Sequence, residues 1–134
     1  MRKKKRIPRP ISTILSPAEV DELVIAPRIH LALLLEGKAE LIHLQSLVGI
    51  LNLGMCIASV RNNAMLSNEV GAGMSILELV IRAKPPALPN EQVDTFLAIF
   101  SKIESVIRMT TRTTLIAAFD LLKEAEQSDG VEAT

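Results

Sequence analysis

Residues 41–60 read LIHLQSLVGILNLGMCIASV, and how this stretch is read decides the fold. It holds no Asp, Glu, Lys or Arg over the length of a membrane span. Yet His43, Gln45, Ser46 and Asn52 interrupt it, and Gln45, Asn52 and Ser59 recur every seven residues, with Lys38 extending the series. A narrow polar stripe on an otherwise apolar cylinder describes the central helix of a soluble bundle better than a lipid-facing span. The spacing predicts that helix from Lys38 to about Asn63, where two asparagines weaken it. Gly49 and Gly54 lie inside it, as close-packing sites or, at Gly54, a break.

Upstream, Arg28–Glu36 is strongly apolar and ends at Gly37, a natural C-terminal stop. Pro27 is expected to open that piece, separating it from a short helix over 17–25. The short helix starts with the most specific local signal in the chain, Ser16-Pro17-Ala18-Glu19. Ser at the N-cap, Pro at N1 and Glu at N3 form a capping box. Before it, residues 1–15 read as a flexible basic arm broken by Pro8 and Pro10.

Downstream, residues 67–73 (SNEVGAG) read as a loop or the start of a helix, capped by Ser67 or Asn68. Residues 74–83 are helical, with Glu78 and Arg82 at i,i+4. The run KPPALPN at 84–90 is a rigid proline linker. Beyond it, Asn90 caps a long C-terminal segment. Val93, Phe96, Phe100, Ile103 and Ile107 form a 3-4 seam that continues onto Thr110, Thr114, Ala117 and Leu121. As one helix to residue 127 it would be about 55 Å long. Either MTTRTT at 109–114 is a junction or the helix projects to a partner. Residues 128–134 read as a frayed acidic tail.

The composition agrees with helices. Hydrophobic residues make up 49% of the 134 residues and aromatics 2%, so the core is aliphatic. Strands are usually richer in aromatics. The expected architecture is one all-α domain over 16–127, a small bundle of four to six helices. Net charge is zero, but unevenly distributed. Arg2, Lys3, Lys4, Lys5, Arg6 and Arg9 put six positive charges in the arm. Removing these six from the 15 basic residues leaves nine against 15 acidic ones, so the remainder carries −6. A body of that sign repels phosphate.

Little in the chain points to chemistry. His30, His43 and Cys56 are 13 residues apart in turn, a spacing that fits no zinc site. Each has a bland reading: surface or cap-satisfied histidines, and a buried thiol. Asp21 and Glu22 suit an early helix turn. Asp120, Glu124 and Glu126 suit a solvated face. Gly71–Gly73 lacks the frame of a phosphate loop. The expectation is therefore no enzyme, no metal and no cofactor, in a chain suited to the cytoplasm.

Two kinds of partner are expected. The six arm cations are candidates for salt-sensitive nucleic-acid contact. A faint helix-turn-helix shape, with its turn at Asn52-Leu53-Gly54, adds to this, although Gly54, Met55 and Cys56 would offer bases almost nothing. A mean hydropathy of +0.32 argues for an apolar surface bound by a protein partner or a second copy. The seam Val93, Phe96, Phe100, Ile103 and Ile107 is the candidate surface, with core as its equal alternative.

The stretch IAPRIHLALLLEGKAELIHLQSLVGILNLGM, with Gly37, Glu40 and Asn52 in place, resembles short helical proteins encoded by prophages and integrative elements. The resemblance implies a small accessory or regulatory protein and carries no site residues. Two functions follow. In the first, the helical body mediates oligomerisation or protein binding while the arm touches nucleic acid. In the second, a mobile-element inhibitor or accessory factor acts through its body alone. Membrane attachment is not expected.

Overall fold

The computed structural model describes residues 13–133, with side chains from 13 to 127. The six cations of the arm lie outside the described residues. Among the described residues five α-helices follow one another: α1 (Pro17–Leu35), α2 (Leu41–Val60), α3 (Ala64–Arg82), α4 (Val93–Met109) and α5 (Arg112–Ala133). A 3-10 turn, Asn90–Gln92, precedes α4. Among the described residues there is no strand, only one isolated antiparallel bridge, Ile14 with Thr111.

α1 begins as its capping box dictates. The Ser16 N–H donates to Glu19 Oε1 at 2.8 Å, and the Glu19 N–H donates to Ser16 Oγ at 3.2 Å. It does not stop at residue 25. Pro27 sits inside one continuous helix, against the expectation of two pieces. An interior proline costs roughly 3 kcal/mol, but Pro27 falls on the stripe Val20, Val24, Pro27, Leu31, Leu34, which faces the core. Burial of that stripe offsets the lost hydrogen bond. The helix ends in a Schellman motif at Gly37 (φ +75°): Lys38 N–H donates to Leu33 O at 2.8 Å and Gly37 N–H to Leu34 O at 3.1 Å.

α2 starts at Leu41, not Lys38, because Glu40 is the N-cap: its backbone N–H donates to His43 Nδ1 at 2.9 Å. It runs unbroken through Asn52, Leu53 and Gly54, which removes the helix-turn-helix reading. Gly54 instead allows close packing. A Cβ there would sit 3.3 Å from Ile103 and Val70 side chains. The real stop is a second Schellman motif. Asn62 takes φ +55°, with Asn63 N–H on Ala58 O at 2.8 Å and Asn62 N–H on Ser59 O at 3.2 Å.

The next residue starts the next helix. Asn63 Oδ1 accepts the Leu66 N–H at 3.0 Å, so Asn63, rather than Ser67 or Asn68, caps α3. Residues 67–73 are helical, not loop. Gly73 is where α3 comes closest to its neighbours: an added Cβ would lie 3.0 Å from Ile99 Cγ2 and 3.1 Å from Leu51 Cδ2. After the proline run, Gln92 rather than Asn90 is the N-cap of α4.

The MTTRTT stretch is a junction between two helices. Thr110, fully buried and extended, turns its hydroxyl back onto Val106 O. Thr111 Oγ1 accepts the Thr114 N–H at 3.3 Å, in the position of an N-cap for α5. The α5 backbone continues to Ala133, past the boundary at 127 where a frayed tail was expected.

α2 is the hub and packs against α1, α3, α4 and α5. Leu44, Leu47, Leu51 and Ile57 are its largest fully buried side chains. By length and composition α2 and α3 are apolar enough to cross a membrane. In this fold, α2 directs part of that apolar surface at the other helices, while Leu41 and Ile42 at its start stay exposed.

Candidate nucleic-acid and protein interface

The root of the arm is fixed to the body. Residues 13–15 were expected to belong to the arm, but the structure joins them to α5. Leu15 is buried in the core, and Ile14 bridges Thr111. Thr13 O accepts the Arg112 backbone N–H at 2.9 Å, and Thr13 Oγ1 accepts from Arg112 Nε at 3.0 Å. The remaining guanidinium nitrogens form a two-pronged pair with Glu19: Nη2 reaches Oε1 at 2.6 Å and Nη1 reaches Oε2. One arginine on the first turn of α5 thus holds both the chain leading into α1 and the first turn of α1.

This geometry sets the local electrostatics. The Arg112 hydrogen bonds, together with the Ser16 backbone N–H, lower the Glu19 pKa from its ordinary value to about 2. A similar pair fixes α1 to α4, where Arg28 Nη2 and Nε donate to Glu104 at 2.8 and 3.0 Å.

Beside the Arg112 clamp is an open groove of about 300 Å³ between α1 and α5. Leu15, Leu23, Leu115, Ile116 and Phe119 give it an apolar floor, and Glu19, Glu22 and Arg112 a polar edge. Ile116 is 62% and Phe119 39% exposed, so the groove presents apolar surface to solvent. Past Leu122, every side chain of α5 described, from Lys123 to Gln127, is exposed.

The seam expected as a protein surface lies elsewhere. Phe96, Phe100, Ile103 and Ile107 are buried and Val93 is half-buried. Their 3-4 spacing faces α1, α2 and α3, and Phe96 meets Phe100 edge-on with centroids 4.9 Å apart. The seam is core, the alternative the spacing had left open. Exposed apolar side chains instead lie on other faces, among them Ile25 and Ile29, one turn apart on α1 and each more than half exposed.

His30 and His43, 13 residues apart in sequence, meet with ring centroids 5.1 Å apart. His43 is occupied as the acceptor of the Glu40 N–H, and His30 Nδ1 pairs with Ser46 Oγ at 2.6 Å. Both rings are used as helix-end and interhelical partners. Cys56 is half-buried, and burial pushes its thiol pKa up, away from reactivity. Among the described residues no three His, Cys, Asp or Glu side chains are grouped as a metal site would need.

The Arg112 clamp and the α1–α5 groove were missed by reading the sequence. Glu19 and Arg112 are 93 residues apart, and nothing in their local context pairs them. Comparison with known proteins gives no further guide: no family model, no curated protein and no solved structure matches this chain.

Proposed function

We propose that this chain is a non-catalytic, cytoplasmic accessory protein whose helical body anchors a basic arm for contact with nucleic acid. One observation carries the reading: the root of the arm is held by Arg112, Glu19 and the Ile14–Thr111 bridge. A cationic segment held at a fixed point meets a phosphate backbone with less orientational cost than a free tail. Arg2, Lys3, Lys4, Lys5, Arg6 and Arg9 carry the contact, and the −6 remainder of the chain opposes any wider footprint.

The test is fluorescence anisotropy on labelled duplex DNA across a salt series, with the full chain and a version lacking residues 2–9. Binding by the full chain alone, weakening steeply with salt, supports the reading. Absence of binding by both at low salt removes it. A second reading, in which the body alone binds a protein as an inhibitor or accessory factor, is favoured by the exposed pair Ile25 and Ile29. An apolar patch on a helix face marks a contact surface. The origin in a mobile element remains part of this proposal.

A further inference from the structure

We propose that the open face of α2 is the seam of a homodimer, in which two copies pair antiparallel about a two-fold axis near residue 50. α2 carries no charged residue from Leu41 to Val60. A helix apolar or uncharged all round is normally covered all round, yet one side of α2 faces solvent. That side bears two rows. Leu41, Val48 and Met55 form one, and Gln45, Asn52 and Ser59 the other. Together they advance by four and three residues in turn, the spacing of a heptad seam. The polar stripe at seven-residue intervals therefore has an apolar row beside it. None of the six is buried: Leu41, Gln45 and Ser59 are exposed, and Val48, Asn52 and Met55 half-buried. The core takes the opposite face, through Leu44, Leu47, Leu51 and Ile57. Packing within one copy leaves the seam open.

The occupant that fits is a second copy. Outside the arm cations the chain carries −6, so two bodies repel unless they meet where charge is absent. In an antiparallel pair each row lies along the same edge as its counterpart. With the axis at residue 50, the Gln45, Asn52 and Ser59 positions of the two copies alternate along one edge, three or four residues apart, or about 4.5–6 Å of helix rise. Asn, Gln and Ser both donate and accept, so each can pair with its own kind. Polar residues at such seam positions fix register and partner number. The apolar rows alternate in the same way on the other edge, where Val48 also lines a groove of about 390 Å³ with Met74 and Ile81 of α3.

Charge and area support the same arrangement. Glu40 and Arg61 cap the two ends of α2. An antiparallel pair sets the Glu40 end of one copy beside the Arg61 end of the other, unlike charges and opposite ends of the helix dipole, whereas a parallel pair sets like beside like. The 20 residues of α2 with the near side of α3 make a face of ~30 by 20 Å, so two copies cover on the order of 1,200 Å², the lower limit for a specific interface. A micromolar dimer is expected.

Sedimentation velocity on the full chain tests this. The 14.6 kDa monomer should give way to a species of twice its mass as concentration rises through the micromolar range. The version lacking residues 2–9 should still dimerise at physiological salt, which separates the dimer from any role of the arm on nucleic acid. Asn52→Asp changes a half-buried side chain and puts like charges near the axis. It should weaken dimerisation about tenfold or more, while Ile25→Asp on exposed α1 should not. Disulfides read the orientation in a Cys56→Ser background. Leu41→Cys and Ser59→Cys proteins should cross-link to each other when mixed, and neither should cross-link alone. Cross-linking of each alone would mean a parallel pair and overturn the arrangement. A wild-type chain that stays monomeric at millimolar concentration overturns the proposal without recourse to any variant. A dimer broken by Ile25→Asp and indifferent to Asn52→Asp overturns it too, and assigns the contact to α1.

Discussion

At the scale of the residue, Arg112 is the side chain on which most depends. Its partners span two helices and the root of the arm, and none of them is near it in sequence. The local half of the site was legible: Ser16-Pro17-Ala18-Glu19 announces a capping box, and the box forms. The distant half was not, because an ion pair across 93 residues exists only once the helices pack. The pairing has a pH signature. Glu19 has a folded pKa lowered to about 2, from an ordinary value of 4.5. Its contribution is therefore fully present above about pH 4.5 and is lost as pH falls through that interval toward 2. An Arg112→Gln variant removes the principal cause of the shift. The stability gap between wild type and variant, read as urea midpoints, should be constant from neutral pH down to about 5 and should close between about 4.5 and 2. A gap unchanged at pH 2 would mean that Arg112 acts through the Thr13 contacts rather than through Glu19.

At the scale of the element, the helix types were readable, as were the start of α1 at Ser16 and its stop at Gly37, while several other ends were not. Periodicity announced α2, the second half of α3 and the seam of α4, because apolar spacing survives in the fold as burial. Pro27 misled for a physical reason: local propensity argues for a break, and the stripe of buried residues running through it wins. The asparagines at 62 and 63 are the opposite case. They read as a weakening, and they are a stop and a start. Asn62 supplies the left-handed residue that closes α2, and Asn63 caps α3. Asn62→Ala should cost about 1 kcal/mol, the penalty for placing a Cβ-bearing residue without a helpful side chain at φ +55°. Asn62→Gly should be neutral or mildly stabilising. Thermal melts of the two variants decide the matter: equal losses for Ala and Gly would show that the Asn62 side chain, not its backbone, is what closes the helix.

At the scale of the whole molecule, the proline run at 84–90 looks like a boundary in sequence but not in the core. α3 and α4 on either side of it pack together, and α2 touches α4 and α5 beyond it. Leu51 shows why the halves are inseparable. It is fully buried on α2, and its Cδ2 and the Cγ2 of Ile99 on α4 lie 3.1 and 3.0 Å from where a Cβ on Gly73 of α3 would sit. Three helices from both sides of the linker therefore share one packing point. The seam from Phe96 to Ile107 belongs to the same core, which is why its spacing alone could not distinguish an outward surface from an inward one. Truncating Leu51 to alanine should cost ~2–5 kcal/mol, the range for a large-to-small change that leaves a cavity. More tellingly, it should move the melt of the entire chain as one transition. Calorimetry on wild type and Leu51→Ala is the check, with a calorimetric enthalpy equal to the van't Hoff value in both. A melt that splits in two, with only the earlier part shifted by the substitution, would mean that α4 and α5 form a unit of their own behind the prolines. The clamp at Arg112 would then join two units rather than brace one.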